Sequence, residues 1–163
     1  VKRIELLDLT DEARDLIREC EVQGTRTQFE RGGRPVAMLV SYDEYVALRE
    51  TIALSNEPLL WARIEAAEEE ARLGKLIEAQ DVWPDARLQR LRMVESLEHA
   101  LPATARVAVE RLDDDPIAGA PLMAPFDGLW VLPTDGLRLF YRIAGEGRFV
   151  VVLALASNPT PKG

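Results

Sequence analysis

The sequence predicts an α+β fold built as two modules in one chain of 163 residues. Two observations carry this. Upstream, a helix, a strand pair and two more helices follow one another within about 75 residues. Downstream, two helical stretches are followed by three strand-length runs separated by Thr134-Asp135-Gly136 and Gly145-Glu146-Gly147, the pattern of an antiparallel meander.

Residues 1–9 alternate weakly through Ile4 and Leu6, which predicts a short strand. Thr10 is placed to cap a helix whose first turn carries Asp11 and Glu12, favourable near the positive end of the helix dipole. Ala13, Leu16, Ile17 and Cys20 recur at helical spacing, so Cys20 is expected to pack rather than react. Gly24 ends this helix. Residues 25–30 and 35–40 are then two strands around Arg31-Gly32-Gly33-Arg34, whose glycines supply the positive φ of a tight hairpin. Ser41 and Glu44 have capping-box spacing and start a helix in which Tyr45, Leu48 and Ile52 face one way. Asn56-Glu57-Pro58 breaks it.

Residues 59–73 form the next predicted helix, with Leu60, Ile64, Ala67 and Ala71 as its apolar stripe and Glu68-Glu69-Glu70 opposite. Residues 76–83 read as extended or irregular, and Pro84 marks a boundary. Residues 85–101 and 103–112 read as two helices split by Pro102, the second stopped by Asp113-Asp114-Asp115-Pro116. That acidic run is a helix stop rather than a cation site. A loop leads to Gly128, and strands are expected at 129–132, 137–143 and 149–155. The tail from Ser157 is expected to be loose.

Composition narrows the function. The chain is 47% hydrophobic, enough for a real core, and its single cysteine excludes an internal disulfide framework or a cysteine-rich metal site. No apolar run approaches the roughly 18 residues of a membrane span, and the first residues lack a secretory pattern, so a soluble cytoplasmic protein is expected. The net charge of −8 argues against indiscriminate nucleic-acid binding. It divides as −4 over residues 1–58, −3 over 59–83 and −1 over 84–163. Yet Arg14, Arg18, Arg26, Arg31 and Arg34 fall within one short stretch and can make a local basic face.

LTDEARDLI, TQFERGGRPVAMLVSYDEYVAL and the acidic, glycine-interrupted EAAEEEARLGKLIEA make the first 80 or so residues resemble antitoxins of the Phd/YefM family. The helix ending in LDDDP, then FDGLWVLPTDGLRLFYRI and GRFVVVLALAS, make the remainder resemble the RelE/ParE toxin superfamily. The resemblance implies three regions: a DNA-binding and dimerisation domain over 1–58, a toxin-wrapping helix and linker over 59–83, and a toxin-like domain over 84–163. It implies a homodimer on a palindromic operator, with Arg14 as base contact and Arg31 as a second basic contact. Arg18, Arg26 and Arg34 join them as phosphate contacts by proximity in sequence. Leu16 stands where an asparagine often follows Arg14 in such antitoxins, which weakens sequence readout from that position. For each arginine the plainer reading is a solvated surface charge. Leu60, Trp61, Ile64, Ala67 and Ala71 become the toxin–antitoxin contact, made within one chain or by domain swapping; packing alone would explain the Trp61/Ile64 stripe and the pair Trp83/Trp130.

RelE-type toxins cut mRNA on the ribosome with basic and aromatic side chains and no cofactor or metal, needing cations at the phosphate and a group to handle a 2′-hydroxyl proton. Arg138 matches their arginine on the corresponding strand. Trp130-Val131-Leu132 stands where active members carry lysines, and Ser157-Asn158-Pro159-Thr160 where they carry an arginine and then a tyrosine. His99 and Lys162 are the remaining basic residues of note. One arginine is not a phosphodiester-cleaving site, and Arg138 equally suits anchoring a loop or pairing with a carboxylate. The first strand usual in this fold is not evident; residues 87–94 are its candidate, but they read as helix. The sequence thus predicts a fused, DNA-binding autoregulator with a catalytically incomplete toxin half. The alternatives are a latent ribosome-dependent ribonuclease silenced by its fused antitoxin, and a purely structural dimer.

Overall fold

Thr10 Oγ1 accepts a hydrogen bond from Ala13 N at 3.4 Å and opens α1 (Asp11–Gln23), which Gly24 ends in the left-handed conformation at φ 67°. The computed structural model describes residues 2–159, and the chain divides into two units, Val1–Val46 and Ala47–Gly163. Upstream of α1 the expected strand over 1–9 is absent among the described residues; Val1 lies outside them. Leu6–Asp8 is instead a 3₁₀ turn, closed by Asp8 N to Glu5 O and Leu9 N to Leu6 O. No neighbouring strand offers a ladder there, so the backbone satisfies itself locally. Cys20 is the buried residue of α1, as its spacing predicts, while Ala13, Leu16 and Ile17 are half-buried.

β1 (Thr27–Arg31) and β2 (Arg34–Leu39) form the antiparallel hairpin, with Arg31 opposite Arg34 and a bulge after Phe29. Gly32 (φ 58°) and Gly33 (φ 73°) give the turn the two positive φ values that match strand twist. Ser41 Oγ then accepts from Glu44 N at 3.1 Å and starts α2 (Tyr42–Ser55). The division between the two units falls within this helix. Tyr45, Leu48 and Ile52 do face one way, and that way is solvent: each is about half exposed. Val46, Ala47, Glu50, Thr51 and Leu54 are the buried ones.

The second unit is organised around a six-stranded sheet in the order β3-β4-β8-β7-β6-β5. Its strands are β3 (Leu76–Glu78), β4 (Leu91–Val94), β5 (Ala120–Pro121), β6 (Trp130–Pro133), β7 (Leu137–Ala144) and β8 (Phe149–Ser157). β4 and β8 are parallel and the other neighbours antiparallel. The helices are α3 (Pro58–Arg72), the single turn α4 (Ala79–Val82) and α5 (Ala105–Asp114). The α+β class and the three-stranded meander are as predicted, and β8 runs to Ser157; Thr160 to Gly163, including Lys162, lie outside the described residues.

The predicted helix over 85–101 is a correction. Residues 91–94 are a strand, and Glu95–Leu97 a 3₁₀ turn, so α5 stands without a helical partner and the expected helical hairpin is not formed. The reason is tertiary. Val150 to Leu155 of β8 are buried, so β8 needs a strand on each side, and Leu91 and Met93 at 0% exposure supply the second. The stretch 76–83, read as extended or irregular, divides into β3 and α4. The expected domain limits at 58/59 and 83/84 both fall inside the second unit.

Candidate functional site

β7 alternates. Arg138, Phe140 and Arg142 lie on one face of the sheet, and Leu139 and Tyr141 on the other. α3 covers the arginine face: Leu60, Ile64 and Ala67 are buried against the sheet core, with Ala71 and Trp61 half-buried beside them. Trp61 packs on Phe126 with ring centroids 4.8 Å apart, and Arg63 donates to Leu155 O at 3.3 Å. Burying Ile64 alone contributes roughly 1.5–3 kcal/mol. All five residues expected to contact the toxin-like half are thus in, or packed on, one core cluster with β4, β7 and β8.

Arg138 is 1% exposed. Its Nε donates to Ser157 O at 3.1 Å, and Nη2 donates to Glu57 Oε1 and Oε2, both at 2.8 Å. Nη1 lies 3.6 Å from Glu50 Oε2, and Glu50 is also 1% exposed. Arg49 holds Glu50 from the other side, Nη2 to Oε1 at 2.7 Å. Local sequence explains both carboxylates. Glu50 falls in helical register with buried Val46, Ala47 and Leu54, and Glu57 takes the N-cap position of α3 because Pro58 is its first residue. Four residues along β7, Arg142 repeats the arrangement, ion-paired to Glu68 of α3 and donating to Asp127 O at 3.0 Å.

Chemically, this face is closed. Arg138 commits Nε and Nη2 to Ser157 O and Glu57, and its Nη1 is buried against Glu50, so no donor of this cation is exposed to an incoming phosphate. Freeing it would leave Glu50 buried beside only one partner. On β6 Trp130 is half-buried and Leu132 buried, and the His99 side chain is 89% exposed beside Glu98. Asp113 and Asp115 accept from backbone N–H groups of Arg90 and Ile117, as a helix stop does. Among the described residues no group of three or more His, Cys, Asp or Glu is placed to hold a metal ion, and no helix is long and apolar enough to cross a membrane.

The five arginines expected to meet DNA lie in the first unit, none of them fully buried. Arg14 is half-buried and ion-paired with Asp11, Arg18 lies 3.8 Å from Asp15, and Arg26 pairs with Glu44 at 2.5 Å. Arg31 and Arg34 face each other across the hairpin end, and among the described residues neither has an ion pair. Like charges directly opposite each other destabilise a hairpin. The pair is therefore a place where an anion would relieve repulsion.

No protein-family model matches the chain, and no curated protein matches it. Among solved structures, it is similar to a chain of the toxin–antitoxin complex RelBE2 from Mycobacterium tuberculosis. The two are 26% identical over 44% of this chain and 100% of that one, with a TM-score of 0.37.

Sequence reasoning found Arg138 and missed what holds it. Glu57 reads only as part of a helix break, and Glu50 is not among the expected site residues. Glu50 carried a signal: a carboxylate on the apolar side of a helix needs a buried cationic partner. Arg142 carried one too, since period-2 spacing puts it on the same face as Arg138.

Proposed function

We propose that this chain is a fused toxin–antitoxin protein acting as a dimeric DNA-binding autoregulator, its toxin-like half neutralised by the antitoxin segment of the same chain. The single observation that carries the reading is the burial of Arg138 between Glu50 and Glu57. The carboxylates come from the segment that resembles an antitoxin, and the arginine from the strand that resembles a toxin. Neutralisation is made in cis, with covalent linkage keeping the local concentration of the inhibitory helix high.

Support for the dimer comes from exposed apolar side chains of the first unit and, separately, of the α2 segment in the second. Phe29, Val36, Met38, Tyr42, Leu48 and Ile52 are all exposed, and a two-stranded hairpin is marginal in water without something covering it. A second copy related by a two-fold axis covers those side chains and doubles the arginine set, which suits a palindromic operator with half-sites about one helical turn apart. Phosphate contacts then come from Arg18, Arg26, Arg31 and Arg34, and base contacts from Arg14.

The test is a titration of purified protein against DNA from just upstream of its own gene, with Arg14→Ala alongside and salt varied. Salt-dependent binding that the substitution weakens supports the regulator. Absence of binding at low salt sinks it.

A second reading, the latent ribosome-dependent ribonuclease, is favoured by Arg142, which supplies a second masked cation on the Arg138 face. Its test is the full chain carrying Glu50→Gln, Glu57→Gln and Glu68→Gln. Growth arrest with cleaved mRNA supports that reading, and normal growth with the folded variant expressed rejects it.

A further inference from the structure

Glu50 has a second neighbourhood besides Arg138. It lines a half-open cleft of about 820 Å³, within the size range of ligand sites. One wall is a single stripe of α5, where Thr104, Val107, Ala108 and Arg111 follow the i, i+3, i+4, i+7 spacing of one helix face. Ala108 is small, which leaves the room. The opposite wall is the β6–β7 turn with Asn158, and it is pre-organised. Thr134 Oγ1 donates to Leu137 O at 3.1 Å, and Asn158 Nδ2 donates to Thr134 O at 2.9 Å.

Hydrogen-bonding capacity in this cleft exceeds what the protein uses. Among the described residues the exposed Arg111 guanidinium has no ion pair, although Arg106 five residues earlier has two, to Asp85 and Glu110 at 2.8 Å each. The Thr104 hydroxyl makes no capping bond. With Nδ2 engaged, Asn158 has its Oδ1 left to accept. Of the lining residues Glu50 is buried, and its Oε2 and the Arg138 Nη1 3.6 Å from it each lack a hydrogen-bond partner. That is one acceptor beside one donor, where buried polar groups are normally satisfied. Donors for an anion on the α5 side and acceptors for N–H or O–H groups on the turn side describe one class of ligand.

We propose that this cleft binds a small phosphate ester of nucleotide size, with Arg111 on the phosphate and the Asn158 side taking hydrogen-bond donors of the sugar or base. The site is independent of the operator reading. It gives the second unit a ligand-binding role that does not require the closed Arg138 face to open.

The experiment is isothermal titration of the full chain with the four ribonucleoside monophosphates, adenosine and inorganic phosphate, repeated on Arg111→Ala and Arg106→Ala. Both arginines are at the surface of α5, and a thermal melt confirms that each variant is folded. At least one nucleotide is expected to bind saturably, with adenosine and Arg111→Ala each weakening it about tenfold, equivalent to about 1.4 kcal/mol, and Arg106→Ala leaving it unchanged. Equal binding by wild type and Arg111→Ala overturns the assignment. Binding of inorganic phosphate as tight as of any nucleotide removes the nucleotide-sized ligand. No saturable binding at millimolar concentration overturns the proposal outright.

Discussion

Arg138 Nη2 sits 2.8 Å from both carboxylate oxygens of Glu57, with Glu50 behind it, so the most buried cation of the sheet is held by carboxylates more than 80 residues upstream. Breaking one side of a buried pair costs more than the pair itself contributes, because the survivor is left charged without a partner. Arg138→Met is therefore expected to destabilise the chain by about 3–5 kcal/mol in urea unfolding. Adding Glu50→Gln to it should recover part of that stability, since the orphaned carboxylate is then gone. Strict additivity of the two substitutions would contradict the coupling.

Tyr141 gives a pH signature on the opposite face. Its hydroxyl donates to Pro116 O at 3.0 Å and accepts from Gly119 N at 3.2 Å, and burial pushes its pKa up from 10.0 to about 12. The folded state thus holds the phenol proton more tightly than the unfolded state. This contribution is fully present below pH 10 and lost as pH rises toward 12, roughly 2 kcal/mol in all. Tyr141→Phe is expected to flatten the stability–pH curve in that window. A wild-type curve already flat between those values would refute the role.

Gly119 is fixed by close approach rather than by backbone angle. A Cβ there would lie 2.5 Å from Val131 O and 2.6 Å from the Tyr141 hydroxyl. Gly119→Ala should cost about 1–3 kcal/mol, the usual range for overpacking, and its melting point should fall accordingly. Gly136→Ala is the contrast: no atom lies within 4 Å of its Cβ, and its φ of 96° alone carries the strain.

These relationships show where the sequence could be read and where it could not. The hairpin, α1, α5 and the β6–β8 meander follow from turn glycines, caps and periodicity, which are local. β4 is not local: in RLQRLRMV the spacing of Leu88 and Leu91 suits a helix, and only the need of β8 for a second neighbour makes it a strand. Glu50 and Glu57 fail for the same reason. A carboxylate looks like surface until the arginine it meets, far along the chain, is placed beside it.

The dimer has its own test. Leu48 and Ile52 are about half exposed on one face of α2, so a carboxylate at either position stays in reach of water and should change folding by only about 0.5 kcal/mol. Leu48→Glu with Ile52→Glu is expected to shift sedimentation from dimer to monomer while the melting point holds. Unchanged sedimentation would place the interface elsewhere.

The arginines should separate by salt dependence. Arg31 and Arg34 oppose each other at the hairpin tip without ion pairs, so neither has to give up a carboxylate to meet a phosphate. Arg14 must leave Asp11 to do the same. Arg34→Ala is therefore expected to lower the log–log salt slope of operator binding by about 0.9 for each phosphate no longer neutralised, alike on operator and random DNA. It should leave the hairpin no less stable, because a like-charge repulsion goes with it. Arg14→Ala is expected to act on the operator, costing about 1–3 kcal/mol there and little on random sequence. If both substitutions weaken operator and random DNA by the same factor, Arg14 reads no base. Recognition would then rest on backbone contacts and the spacing of the two copies.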